Sequence, residues 1–197
     1  MFENLPKEHF GAILADPPWR FLSWSDRGKD RAAENHYKVM ALSVLETLPI
    51  ERLAKTDCVL FLWATWPLLQ DALSLITWWG FQYKTCAFCW TKADNTQPHF
   101  FTAELNAEMK LGYWTRANSE VCLLATRGKP KRRNADVRQA IIAPSRQHSR
   151  KPDGIHKRIE RLVTGPYLER FARQKRHGWT TWGDQTDKFP EVAREAG

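Results

Sequence analysis

Apolar positions in this chain fall into short unbroken runs that alternate with stretches of helical spacing, and that alternation sets the expected elements. Gly11 to Ala15 is an apolar run that stops at Asp16-Pro17-Pro18, which reads as a buried strand ending in a rigid loop. Ser43 is placed to cap a helix running to about Ala54, with Val44, Leu45, Leu48 and Leu53 as its apolar face. Cys58 to Ala64 reads as a second buried strand, Pro67 to about Trp79 as a helix stopped by Gly80, and Tyr83 to Thr91 as a third strand. Residues 93–117 carry no such period and read as an irregular excursion. Glu120 to Thr126 is a further strand, and Ile141 to Ala143 a short one. Pro152 to Val163 reads as a helix, with Asp153 in its first turn, Ile155, Ile159, Leu162 and Val163 at helical spacing, and Gly165-Pro166 ending it. Tyr167 to Ala172 and Trp179 to Gly183 read as strands, and residues 186–197 as a loose tail or short helix.

Strands alternating with helices predict an α/β fold with a parallel sheet. A length of 197 residues fits one domain. The polar stretch from Leu22 to Tyr37 reads as a loop able to close over a site. No apolar run reaches the roughly 18 residues of a membrane span, and no signal segment opens the chain. The expectation is therefore a soluble, cytoplasmic protein with no membrane partner. The four cysteines are too few for a disulfide scaffold, so they are expected to be reduced. Cys86 and Cys89 have the gap of a zinc knuckle, but no second pair follows and no metal is expected.

Charge changes the picture in one place. The net charge is +8, and residues 127–161 hold 12 Lys/Arg against 3 Asp/Glu, more than the whole excess. Lys131, Arg132 and Arg133 lie in that tract and are candidate nucleic-acid contacts; the competing reading is a solvated basic loop. Ten tryptophans add flat surfaces on which bases can stack.

The strongest chemical signal is Asp16-Pro17-Pro18-Trp19 at a strand end. The amino nitrogen of a nucleobase is a poor nucleophile because its lone pair is delocalised into the ring. A catalyst for its methylation should accept hydrogen bonds from the amino hydrogens and favour a more tetrahedral nitrogen. The Asp16 carboxylate and the Pro17 carbonyl can be those acceptors, with Pro17 and Pro18 holding the backbone still. Trp19 can stack on a base flipped out of its helix. The plainer alternative is a strand-ending turn whose Trp covers the core.

Around this motif the chain resembles the adenine methyltransferases related to the catalytic subunit of the messenger-RNA adenosine methyltransferase, particularly their bacterial and phage members. The resemblance runs from Gly11 to Gln185 and is carried by seven blocks in order: Asp16 to Trp19, Arg31 to Tyr37 with Met40, Phe61 to Thr65, Trp79-Gly80 with Trp90 to Lys92, Gly112 to Arg116 with Glu120, Ser149 to Asp153, and Glu169 to Arg173 with Trp179 and Gly183 to Gln185. It implies a Rossmann-like, S-adenosylmethionine-dependent methyltransferase fold in permuted order, with the catalytic motif before the cofactor motif. It implies that Asp16, Lys151, Glu169, Phe171, Ala172, Arg173, Asp184 and Gln185 surround S-adenosylmethionine, with Phe171-Ala172-Arg173 standing where other methyltransferases have a glycine-rich turn. Glu169 would accept from the ribose hydroxyls, and Lys151 and Arg173 would hold the cofactor's oxygens. His36, Tyr37, Trp114, Arg116 and Glu120 become candidate substrate contacts, although His36 and Tyr37 could equally pack the loop, and Glu120 could pair with Arg116. Trp63, Trp66, Trp78 and Trp79 are read as core or interface. Arg170 departs from the family, which commonly carries an apolar residue there.

The function this resemblance implies is N6 methylation of adenine in DNA, in a bacterial or phage-infected cell. RNA adenosine methylation, a non-catalytic nucleic-acid-binding subunit and cytosine methylation are the alternatives. Members of the family often work in pairs, so a homodimer is expected beside the nucleic-acid partner.

Overall fold

The computed structural model describes residues 5–19, 39–93, 114–146 and 150–193. The strands are β1 (Phe10–Ala15), β2 (Ala54–Ala64), β3 (Gln82–Ala93), β4 (Ser119–Arg127), β5 (Ala140–Pro144), β6 (Tyr167–Arg170), β7 (Gln174–Arg176), β8 (Trp179–Trp182) and β9 (Phe189–Val192). The helices are α1 (Leu42–Glu46), α2 (Leu69–Trp78) and α3 (Gly154–Leu162), with single 3-10 turns at Ile50–Arg52 and Trp66–Leu68. Seven strands form one sheet in the order β5-β3-β4-β2-β1-β6-β8.

The expected α/β architecture is present, with one correction to the pairing. Neighbours are parallel except at β4, which runs antiparallel to both β2 and β3. A strand buried on both faces is apolar whichever way it runs, so its pattern carries no direction.

Side-chain alternation divides the interior in two. Ile13 and Ala15 of β1, Leu60 and Leu62 of β2, and Leu123 and Ala125 of β4 face α1 and α2, joining Leu45, Leu75 and Trp79 in one cluster. Ala12 and Leu14, Phe61 and Trp63, and Cys122 face α3, joining Phe88, Trp90, Ile155 and Ile159. Trp79 is fully buried and donates its indole N–H to the Leu45 carbonyl at 2.9 Å, which ties α2 to α1. Trp66 and Trp78, by contrast, are exposed rather than core.

Two further expectations are corrected. The helix expected from Ser43 to Ala54 is only α1, capped by Ala41 without a side-chain bond, because Pro49 breaks the run and β2 already begins at Ala54. The tail expected from residue 186 contains β9, which pairs in parallel with β7 as a separate two-stranded sheet. No helix among the described residues is long and apolar enough to cross a membrane.

Candidate active site

Strand periodicity sets the site. Asp16 follows Leu14 by two residues, Glu120 precedes Cys122 by two, Lys92 follows Trp90 by two, and Glu169 follows Tyr167 by two. Leu14, Cys122, Trp90 and Tyr167 all belong to the α3 side of the sheet. At a period of two, the four polar residues are presented on that same side. They gather at one edge because β4 is antiparallel: its first residues, Ser119 and Glu120, lie beside the C-terminal ends of β2 and β3.

Lys151, in the segment entering α3, closes this edge. Its ammonium lies 2.7 Å from Asp16 Oδ2 and 3.3 Å from Glu120 Oε2, while Lys92 reaches Glu120 Oε1 at 2.6 Å. The result is two ammoniums and two carboxylates in a chain, largely withdrawn from water, with the Lys151 ammonium also 5.5 Å from the Trp63 ring centroid. Burial pushes the Asp16 carboxyl above its ordinary value, against the pull of Lys151. Burial would also raise Glu120, but Lys151 and Lys92 overcome it and hold that carboxyl at about 2. For Lys151, burial is overcome by Asp16 and Glu120, which keep the ammonium protonated well above its usual range.

The motif itself is braced from three directions. Asp16 N–H donates to the Arg170 carbonyl at 3.4 Å, Trp19 N–H to the Pro17 carbonyl at 2.8 Å, and Met40 N–H to the Pro18 carbonyl at 2.9 Å. Trp19 and Met40 thereby form a parallel bridge. The Trp19 indole N–H donates to the Trp63 carbonyl at 3.1 Å, which sets the ring's orientation.

An open cleft brings together Asp16, Lys151, Glu169, Phe171 and Arg173. Phe171 has φ 63°, the left-handed conformation a glycine would ordinarily take. The turn after β6 thus has the backbone of a glycine turn while presenting an aromatic ring. Ala172 is buried beneath it and donates its N–H to the Trp182 carbonyl at 3.1 Å. Gly183 lets these two turns meet, since a Cβ there would stand 2.5 Å from the Ala172 carbonyl oxygen.

Other expected residues are not brought to the cleft. Asp184 is exposed, and Gln185 accepts from the Lys188 N–H at 2.9 Å; neither lines it. Trp114 is fully exposed and Arg116 is exposed, while the ion-pair partners of Glu120 are Lys92 and Lys151. His36 and Tyr37 lie outside the described residues. The basic tract leaves β4 at the far edge of the sheet: Arg127 pairs with Cys58, and Lys129 N–H donates to Asp57 Oδ1 at 2.7 Å. The six residue steps from Cys58 to Ala64 put that edge roughly 20 Å from the motif. Lys131, Arg132 and Arg133 are exposed there, and Arg133 N–H caps the Leu162 carbonyl at the end of α3.

Sequence reasoning missed several residues that line the cleft, among them Trp63, Arg150, His156, Arg176 and Phe189. The Arg150 and Arg173 guanidinium carbons lie 4.7 and 5.3 Å from the Phe189 ring centroid, so β9 forms part of the wall. Arg146 and Arg150 both reach Asp153, while Lys151 turns inward to Asp16.

Residues 10–185 match the model of the MT-A70 family. The chain is 31% identical to the Type II methyltransferase M.MunI of Mycoplasma sp, over 93% of this chain and 80% of that protein. It is also 31% identical to the N(6)-adenosine-methyltransferase MT-A70-like protein of Arabidopsis thaliana and 29% identical to the N(6)-adenosine-methyltransferase catalytic subunit METTL3 of Homo sapiens. In those two cases the match covers 89% and 90% of this chain but only 24% and 28% of the relative. The chain belongs to the MT-A70 family, whose methyltransferases take their methyl group from S-adenosylmethionine.

Proposed function

We propose that the chain methylates the N6 amino group of adenine in DNA, with the base flipped out against Asp16-Pro17-Pro18-Trp19. The observation that carries this reading is the Asp16 carboxylate, anchored through one oxygen by Lys151 at 2.7 Å in the same cleft as Glu169 and Arg173. A second carboxylate oxygen remains for an amino hydrogen. The Pro17 carbonyl, oriented by the Trp19 N–H, keeps a lone pair for the other.

Two acceptors on one amino group favour a localised nitrogen lone pair. Trp19, held by its indole bond to the Trp63 carbonyl, offers the flipped base a ring of fixed orientation. S-adenosylmethionine supplies an electrophilic methyl group when bound. The methylated nitrogen must shed a proton, and Asp16, whose carboxyl burial raises, is suited to accept it.

The donor set of the cleft suits this cofactor. Glu169 can accept from the two ribose hydroxyls, Lys151 and Arg173 can hold its carboxylate, and Leu14, Phe171 and Phe189 supply apolar surface. Asp184 and Gln185, on the turn after β8, would complete the site by turning inward. The motif on β1 precedes the Glu169 strand in the chain, the order we read as permuted. DNA is preferred over RNA because the Type II methyltransferase matches over most of both chains, whereas the adenosine methyltransferases share a quarter of their length.

The test is methyl transfer from labelled S-adenosylmethionine to matched single-stranded DNA, duplex DNA and RNA, with the product base identified by mass. N6-methyladenine in DNA is expected. Asp16→Ala should lower the rate by a factor of at least about 100 while S-adenosylhomocysteine still binds. Transfer to RNA alone overturns the substrate, and nucleic-acid binding without cofactor binding overturns the enzyme.

A further inference from the structure

His156 enters none of the steps above, yet its environment is specific. It lies in the first turn of α3, 7% exposed, and its Nε2 is 2.7 Å from Glu169 Oε2. Its Nδ1 is buried with no hydrogen-bond partner among the described residues. An apolar side chain would fill this place without leaving a buried nitrogen unmet. The imidazole is therefore explained by the bond it makes, not by the volume it fills.

The surroundings fix the direction of that bond. The His156 ring meets Trp179 edge to face at 4.8 Å, and Trp179 stacks on Tyr167 at 4.9 Å. The Trp179 indole N–H donates to Glu160 Oε1 at 2.6 Å, and Tyr167 donates its hydroxyl hydrogen to the Val163 carbonyl at 2.9 Å. These contacts tie α3 to β6 and β8 beside the imidazole. A carboxylate can only accept, so Nε2 carries the hydrogen.

We infer that His156 is a positioning residue for cofactor binding: its Nε2–H holds one oxygen of Glu169 and aims the carboxylate at the ribose hydroxyls of S-adenosylmethionine. The inference rests on the assignment of Glu169 to the ribose. Left without this donor, Glu169 has rotamers that turn it away from the cleft, and ordering it costs binding free energy.

Calorimetric binding of S-adenosylhomocysteine tests the inference. His156→Phe should weaken binding about tenfold, and His156→Gln, whose amide nitrogen can occupy the Nε2 position, should restore it to within about threefold. Glu169→Gln should be at least as weak as His156→Phe, and the double variant no weaker than Glu169→Gln alone, because both act through one contact. In turnover, KM for the cofactor should rise about tenfold in His156→Phe while kcat and KM for nucleic acid hold. Nitrogen-15 histidine spectra of the unaltered protein should show the Nε2–H tautomer, which needs no variant to fold. Wild-type affinity in His156→Phe, failure of Gln to rescue, multiplying losses in the double variant, or an Nδ1–H tautomer overturns the proposal. Undiminished affinity in Glu169→Gln would instead overturn the ribose assignment itself.

Discussion

Glu120→Gln is the most informative single substitution, because it leaves size and shape nearly unchanged and removes one charge from a cluster of four. In the native protein Glu120 takes Lys92 on one oxygen and Lys151 on the other, and its side chain is 15% exposed. Its carboxyl sits at about 2 against an ordinary 4.5. A carboxyl depressed by that amount contributes about 3 kcal/mol of stability at neutral pH. The same size, roughly 3–5 kcal/mol, is typical of removing one partner from a buried ion pair. For a chain of this length each kcal/mol moves Tm by roughly 2–4 °C, so the variant should melt about 6–12 °C lower at pH 7. Because the folded-state value is depressed, the contribution is complete above about pH 4.5 and is lost as pH falls towards 2. The difference between native protein and variant should therefore shrink to about half by pH 3. Reversible thermal melts followed by circular dichroism at pH 7, 5 and 3 read both numbers. A loss under about 2 °C at pH 7, or an equal loss at all three values, would refute the reasoning.

Two more outcomes follow from the geometry. With the ring removed, Phe171→Gly should be more stable than Phe171→Ala by about 1 kcal/mol, the reverse of the usual order, because φ 63° strains any Cβ; urea melts that place Ala higher would contradict the strained turn. Replacing Lys131, Arg132 and Arg133 together by Ala should flatten the salt dependence of binding to long DNA by about two to three units of slope, while leaving transfer to a short oligonucleotide unchanged; an unaltered slope would place this far edge off the interface.

How much of this was legible in the sequence differs by element, for physical reasons. β1 and its motif were plain, since an apolar run broken by two prolines has few other solutions. The extent of α1 was overread because Leu48 and Leu53 keep helical spacing across Pro49, and spacing alone does not register the missing N–H. β7 and β9 gave no signal: Gln174–Arg176 and Phe189–Val192 are only partly buried, so neither strand needs apolar alternation. In the site, Asp16, Lys151, Glu169 and Arg173 were found through residue blocks and do meet in one cleft. His156 was passed over because in an amphipathic helix it reads as one more position beside Ile155. Lys92 was noted only as part of a block, and its partner Glu120 lies on the neighbouring strand, a relation set by register rather than spacing.

The alternation that puts Asp16, Glu120, Lys92 and Glu169 on one side of the sheet also restricts which changes in length the protein can absorb. A single residue gained or lost inside β4 would send Glu120 to the α1 and α2 side, taking from Lys92 and Lys151 the carboxylate they share. The same insertion in residues 128–139, between β4 and β5, moves no side chain across the sheet. Changes of length in that connection therefore leave the charge balance of the centre untouched.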